Sequence, residues 1–167
     1  MEPTSSEDVF RGRLFRVAVE EWPGAGRREI VHHPGACAVV ALTAAGEVVL
    51  VRQFRPAVQR ALLEIPAGVL DVAGEDLVTC AARELLEETG YHTSRPFEPL
   101  GSILTTPGFT DERIDLFLAR DVQPGTPSPG EDEEIDVVLM SIDEARQAIE
   151  DGLIVDAKTV AALLRAS

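Results

Sequence analysis

Three glutamates stand close together in a segment whose spacing favours a helix. The segment runs from Glu75 to Gly90, and its acidic cluster is Glu84, Glu87 and Glu88. Because residues advance by roughly 100° each around a helix, Glu88 falls inside an apolar arc, Glu84 falls on the edge of that arc, and Glu87 lies further out. The arc consists of Leu77, Val78, Ala81, Ala82 and Leu85.

This arrangement is unfavourable unless something compensates the charge. A carboxylate on a core-facing stripe is costly, and two carboxylates four residues apart repel each other. A bound divalent cation removes both penalties, and carboxylate oxygens are ligands that Mg²⁺ prefers. The alternative is a solvated acidic face on which Arg83 pairs with Glu87. The helical pattern alone leaves both interpretations open.

The composition restricts the possible partners. The chain has 167 residues, which fits one domain with a small appendage, and its net charge is −14. That charge repels nucleic acids and anionic membranes. The sequence contains no run of about 18 consecutive apolar residues, so we expect no membrane span. The polar N-terminus does not resemble a secretory signal. Cys37 and Cys80 form no CxxC motif, so we expect buried free thiols and a reducing cytoplasm.

The surrounding pattern predicts strands with interspersed helices. Two apolar stretches, Val9 to Val19 and Ile30 to Val31, flank a turn at residues 23–26 and predict an N-terminal antiparallel hairpin. Further strands are expected at residues 36–43, 48–54, 62–65, 100–104, 114–119 and 135–140. Helices are expected from Asp76 to Gly90, after Ser141, and after Asp156. We therefore predict a mixed sheet covered by helices.

The carboxylate segment resembles a known signature. Gly68, Glu75 and the residues from Arg83 to Gly90 are similar to the signature of the Nudix hydrolases, in which seven residues separate the glutamate from the arginine, as they do here. Two departures are present. Six residues rather than five separate Gly68 from Glu75, and Tyr91 stands where an aliphatic residue is usual.

Other segments resemble the ADP-ribose pyrophosphatase branch of that family; they are Val51–Arg55, Leu63–Gly68, Thr106–Glu112 and Asp151–Thr159. The resemblance implies an α/β (α+β) fold, a Nudix-like α/β/α sandwich with a mixed sheet and a small N-terminal antiparallel hairpin. Residues 1–33 would be the hairpin appendage, which in this branch is typically exchanged within a homodimer. Residues 34–167 would form the hydrolase domain.

The resemblance also implies a metal site and catalytic groups. The ligands of Mg²⁺, or of Mn²⁺, would be Glu84 and Glu88, with Glu87 sharing and the Ala67 carbonyl contributing. Arg83 would orient these carboxylates. The catalytic base would come from the acidic loop before the last strand, where Glu131 and Glu133 are the candidates. The alternative for this loop is a solvated acidic run.

Substrate-binding positions are implied in the same way. Arg55 would hold a phosphate through its planar guanidinium. Gly108 and Phe109 would line the terminal ribose, although simple packing is the alternative for Phe109. Arg27 and Glu29 match positions near the adenine, and a salt bridge within the hairpin is the alternative for them.

Together these expectations describe a metal-dependent hydrolase of ADP-ribose that releases AMP and ribose 5-phosphate. The alternatives within the superfamily are hydrolysis of other nucleotide sugars or of nucleoside triphosphates, including oxidised ones. A different class is a catalytically silent nucleotide-sensing module, since a fold can be retained when its catalytic activity is lost. Such a module usually loses signature acids, whereas Glu84, Glu87 and Glu88 are all present.

Overall fold

The computed structural model describes residues 1–128 and 134–166. It contains ten strands and three helices in this part of the chain. The strands are β1 (Ser5–Arg11), β2 (Arg16–Trp22), β3 (Gly26–His32), β4 (Ala36–Thr43), β5 (Glu47–Arg55), β6 (Arg60–Glu64), β7 (Ala67–Val69), β8 (Glu98–Leu104), β9 (Arg113–Val122) and β10 (Ile135–Ser141); the helices are α1 (Leu77–Thr89), α2 (Ile142–Glu150) and α3 (Ala157–Arg165).

The strands form two sheets. A small antiparallel sheet has the order β1-β2-β3, and the main sheet has the order β10-β5-β4-β9-β8, with β6 paired to β5 and β7 paired to β4. Among the described strands, only β4 and β9 pair in parallel, so the main sheet is mixed. The predicted N-terminal hairpin is confirmed as β2 and β3. The stretch from Val9 to Val19 is not one strand, because it turns at Gly12–Phe15 and adds β1.

Helices cover both faces of the main sheet. Alternating side chains of β4 point to opposite sides, since Cys37 and Val39 pack with α1 while Ala38 and Val40 pack with α2 and α3. This arrangement confirms the predicted α/β/α sandwich. No helix within residues 1–128 and 134–166 is long and apolar enough to cross a membrane.

Strands β4 and β5 diverge, and the short strand β7, called the wedge strand below, pairs with β4 where they separate. β4 and β5 pair only near their shared turn, at Ala41–Val49 and Leu42–Val48. Beyond that point β6 continues along β5 and β7 continues along β4. The short strand β7 was not predicted, because its three residues include a glycine and are too few to show a periodic pattern. Its pairing with β4 fixes the backbone of Ala67 and Gly68 beside α1.

Helix α1 begins and ends where the sequence predicts. The Asp76 side chain accepts hydrogen bonds from the backbone N–H groups of Val78 and Thr79, both at 3.0 Å. Gly90 ends the helix with a φ of 74°, a left-handed conformation that glycine adopts without strain. The predicted apolar arc was partly wrong, since Val78 and Ala82 are exposed. The buried face is instead centred on Cys80, Ala81, Leu85 and Glu88, because the helix packs on β4 and β7.

The small sheet is attached to the main body through the loop between β8 and β9. The N–H of Val31 donates to the Phe109 carbonyl at 2.8 Å, and the N–H of Asp111 donates back to the Val31 carbonyl at 3.2 Å. The carboxylate of Asp111 also accepts from the N–H of His33 at 2.8 Å. In the β2–β3 ladder, Arg16 at the start of β2 pairs with His32, next to these bonds, and Trp22 pairs with Gly26 at the opposite end. The turn between β1 and β2 therefore lies near the main sheet, and the turn between β2 and β3 lies away from it.

Candidate functional site

The buried carboxylate of Glu88 marks the centre of the candidate site. Glu88 is only 5% exposed, as its place on the helix predicts. Its Oε2 atom accepts a hydrogen bond from the N–H of Ala67 at 3.1 Å. The wedge strand β7 and helix α1 are therefore joined at the position where we expect a metal ligand.

Glu84 lies one turn earlier, against the backbone of Gly68. A β-carbon placed on Gly68 would stand 1.8 Å from Cδ and 2.0 Å from Oε1 of Glu84. No side chain fits at such distances, so the close approach of this carboxylate to β7 requires glycine. Glycine at this position follows from packing and not from a left-handed turn.

Arg83 connects the acidic side chains of the signature. Its Nε and Nη2 atoms donate to the two oxygens of Glu75, both at 2.9 Å. Its Nη1 atom donates to Glu84 at 2.6 Å and to Glu87 at 3.0 Å. The hydrogen bonds that Arg83 donates to Glu75 raise the pKa of the guanidinium further above its usual range and lower the pKa of the Glu75 carboxyl. One cation thus holds three carboxylates in fixed positions.

Glu75 has a larger part in this network than its sequence position suggests. Its side chain is only 6% exposed, and it forms a two-bond pair with Arg83. The extra residue between Gly68 and Glu75 is accommodated in the exposed loop at residues 71–74, so Glu75 still reaches Arg83. The sequence could have identified the pair of Glu75 and Arg83, because the two residues are eight positions apart, as in the signature.

Arg83, Glu84 and Glu88 line one cleft of about 370 Å³, whereas Glu75 and Glu87 do not line it. Its walls include three carboxylates and the backbone of β7, and the lining residues are Arg13, Leu14, Pro34, Arg55, Ala67, Gly68, Val69, Asp71, Arg83, Glu84 and Glu88. In the described chain, no three His, Cys, Asp or Glu side chains converge as a metal cluster. Arg83 and the Ala67 N–H hold the carboxylates in this state. The donors themselves, hard oxygens beside a peptide backbone, fit Mg²⁺.

Arg55 enters the same cleft from β5 and is held by a buried carboxylate. Its Nε and Nη2 atoms donate to the two oxygens of Glu64, both at 2.8 Å. Glu64 is 1% exposed and also binds the ammonium group of Lys158 on α3. Burial alone would raise the pKa of Glu64, but the hydrogen bonds from Arg55 and Lys158 outweigh it and lower that pKa. Three elements therefore determine where the Arg55 guanidinium points.

Other predicted site residues lie outside this cleft. Gly108 and Phe109 lie on the loop between β8 and β9, where Phe109 is exposed. Arg27 and Glu29 lie on β3, towards the far end of the small sheet, and Arg27 stands opposite Glu21. Glu131 and Glu133 fall outside the described residues. The cleft instead contains Arg13, which the sequence pattern did not single out.

The two cysteines meet behind the site. Their Sγ atoms lie 2.9 Å apart, and both residues are fully buried between β4 and α1 as free thiols. The hydrogen bond to Cys80 and the burial raise the pKa of the Cys37 thiol well above its usual range. The predicted buried free thiols are confirmed.

Comparisons with known proteins agree with this architecture. A family model described as the NUDIX domain matches residues 31–163. The chain is 42% identical to the methanol dehydrogenase activator of Bacillus methanolicus, over 95% of this chain and 88% of that protein. It is 39% identical to the ADP-ribose pyrophosphatase of Bacillus subtilis, again over 95% and 88%.

A solved structure shares the fold at low sequence identity. The crystal structure of an ADP compounds hydrolase superposes with a TM-score of 0.81 at 23% identity, and the match covers 99% of this chain and 91% of the other. At that identity the likeness concerns the fold alone.

Proposed function

Because the chain belongs to the NUDIX family, we propose that it hydrolyses the pyrophosphate bond of ADP-ribose with the help of Mg²⁺. The products would be AMP and ribose 5-phosphate. The observation that carries the proposal is the single cleft that combines Glu84, Glu88 and Arg55. The similarity to the B. subtilis ADP-ribose pyrophosphatase supports the choice of substrate.

Four groups of this chain would hold the metal ion. Glu84 and Glu88 are the main ligands in the proposal, Glu87 shares, and the Ala67 carbonyl contributes. The bound ion, Mg²⁺ or Mn²⁺, would neutralise the diphosphate and polarise the attacking water. Arg83 contributes by position, since its bonds to Glu84 and Glu87 keep both carboxylates near the cleft.

Arg55 would bind the phosphate with the part of its guanidinium that faces away from Glu64. An arginine has five N–H donors, and Glu64 takes two of them. The remaining donors are available to phosphate oxygens. Because Glu64 also fixes the plane of the guanidinium, little side-chain entropy is lost on binding. Glu131 and Glu133 remain the proposed candidates for the general base.

The proposal includes a homodimer and a cytoplasmic location. The strand β1 is exposed along its whole length, and Val9 and Phe10 on it are each about half exposed. Exposed apolar side chains of this kind are typical of a surface that another chain covers. Such a dimer would allow Arg27 and Glu29 to reach the neighbouring cleft. The two free thiols are consistent with a reducing compartment.

A substrate panel with and without Mg²⁺ tests the proposed function. The compounds are ADP-ribose, several nucleotide sugars, and nucleoside triphosphates including oxidised ones, with the products separated by chromatography. We expect AMP and ribose 5-phosphate from ADP-ribose only when the metal is present. Faster release of pyrophosphate from a triphosphate would replace this function with a triphosphate activity. Tight binding of ADP-ribose without turnover would instead identify a sensing module.

A further inference from the structure

The turn between β1 and β2 brings an arginine to the carboxylate cleft. The turn is closed by a hydrogen bond from the N–H of Gly12 to the Phe15 carbonyl at 2.9 Å. The rings of Phe10 and Phe15 pack across it, with centroids 5.8 Å apart. The tip of this turn is therefore held in shape by its own contacts, and Arg13 is placed on it.

Among the described residues, the acidic group nearest the turn in sequence pairs with arginines other than Arg13. Arg11 and Arg16 both bind the carboxylate of Asp8 at the base of the turn. The hydrogen bond from Arg16 lowers the pKa of Asp8, so this carboxylate stays ionised. Arg13 forms no ion pair with any residue in the ranges 1–128 and 134–166. Five other arginines in the described ranges also lack an ion pair, and Arg13 alone among these six lines the carboxylate cleft.

The position of Arg13 places its positive charge at the wall of the carboxylate cleft. Arg13 and Leu14 line the same cleft as Glu84, Glu88 and Arg55. A cleft with several carboxylates repels an anionic ligand, and a positive group at its wall reduces that repulsion. The guanidinium also matches the geometry of phosphate oxygens.

We propose that Arg13 is a substrate-binding residue that contacts the diphosphate of a nucleoside diphosphate ligand. The small sheet then completes the catalytic cleft of its own chain, in addition to any contact with a second chain. The proposal deepens the proposed function and rests on it for the identity of the ligand. Arg13 would act on substrate affinity and not on the chemical step, because it lies at the wall of the cleft and not among the carboxylates.

Three variants test this role, with ADP as the ligand in calorimetry and ADP-ribose as the substrate in kinetics. Arg13→Gln should weaken ADP binding in the presence of Mg²⁺ by about tenfold, which corresponds to the loss of one charged contact. Arg13→Lys should lose less, because it keeps the charge. Arg11→Gln is the matched control, since Arg11 lies on the same turn and pairs with Asp8. We expect unchanged ADP affinity in this control.

The same variants separate a phosphate contact from a general disturbance. Adenosine has no phosphate, so Arg13→Gln should leave its affinity unchanged. In kinetics the KM for ADP-ribose should rise about tenfold at nearly constant kcat. Equal ADP affinity in the wild type and in Arg13→Gln would overturn the proposal. Because ADP binding needs no turnover, this result is independent of whether ADP-ribose proves to be the substrate.

Discussion

At the scale of single residues, Glu88 combines burial with a place in the cleft. Glu88→Gln keeps the size of the side chain and an oxygen that can accept the N–H of Ala67. It removes the negative charge that a metal ion needs. We expect kcat to fall about 100-fold or more, equal to roughly 2.7 kcal/mol of barrier, with little change in melting temperature. Glu98→Gln, at an exposed ion pair on β8, is the control. Near-normal turnover of Glu88→Gln would reject the metal assignment.

A substitution at Gly68 tests the placement of Glu84, because its effects on stability and on catalysis can be measured separately. Gly68→Ala places a methyl group where the Glu84 carboxylate lies, and the clash is with the end of a flexible side chain. We expect Glu84 to move aside, so that the fold survives while kcat/KM falls by about 100-fold, as for misplaced catalytic groups. Gly46→Ala should show the opposite pattern. Gly46 has a φ of 80° and open space around it. Alanine at this position should lower the free energy of unfolding by about 1 kcal/mol and leave the activity unchanged.

Thermal melting and steady-state kinetics on both glycine variants distinguish the outcomes. If Gly68→Ala loses as much stability as Gly46→Ala while keeping its activity, the proposed placement of Glu84 is wrong.

The residues that the sequence could reveal are those whose signals are local. Glu84 and Glu88 follow from their places on one helix, because a turn of helix brings residues four apart together. Glu64 could have been suspected, since a charged residue between Leu63 and Ile65 on a short strand needs a partner. Its partners are Arg55, nine residues earlier, and Lys158, 94 residues later. Neither Lys158 nor Arg13 is tied to the site by any local pattern, so only the tertiary structure reveals them.

At the scale of secondary structure, prediction succeeded where an element carries its own caps. Helix α1 was placed correctly because Asp76 and Gly90 mark its ends. Strand β7 was missed because three residues containing glycine carry no periodicity. Strand β1 was missed because all its side chains are exposed, so no alternation of apolar and polar residues separates it from β2. The exposed face of α1 was misjudged at Val78 because a helical wheel does not tell which neighbours the helix will meet.

Helix α3 supports the site through its buried lysine. In Lys158→Met, Glu64 keeps Arg55 but loses its second cation. We expect the free energy of unfolding to fall by about 2 kcal/mol at pH 7, as for a lost hydrogen bond between charged groups. The KM for ADP-ribose should also rise, because Arg55 is held less firmly. Arg146→Met on α2, at a long surface ion pair of 3.8 Å, should cost less than about 0.5 kcal/mol.

The same variant has a defined pH dependence. The lowered pKa of Glu64 means that its ion pairs stabilise the fold above the ordinary carboxyl pKa of 4.5. This stabilisation is lost as the pH falls through the folded-state pKa, because a protonated Glu64 no longer attracts Lys158. Urea unfolding of the wild type and Lys158→Met at several pH values should therefore show a difference that narrows below pH 4.5. A constant difference would contradict the pairing.

At the scale of the whole molecule, the small sheet carries the exposed apolar side chains on which the proposed homodimer rests. Val9 and Phe10 on β1 and Leu14 and Phe15 on the following turn are each at least 40% exposed. We expect the protein to sediment as a dimer of about 36 kDa, twice the 18.0 kDa of one chain. Val9→Asp should shift it towards the monomer by placing a charge in that interface. Val72→Asp, at an exposed site before α1, is the control. A wild-type protein that sediments at 18 kDa would refute the dimer.

The burial of Lys158 has a practical consequence for labelling. It is the only lysine in the sequence, beside fourteen arginines. Its ammonium group is enclosed by Glu64 and Asp156, and the residue is 9% exposed. Amine-directed dyes and crosslinkers would thus find no accessible lysine side chain on this protein. A lysine introduced at an exposed position would then be the one side-chain amine that such reagents label.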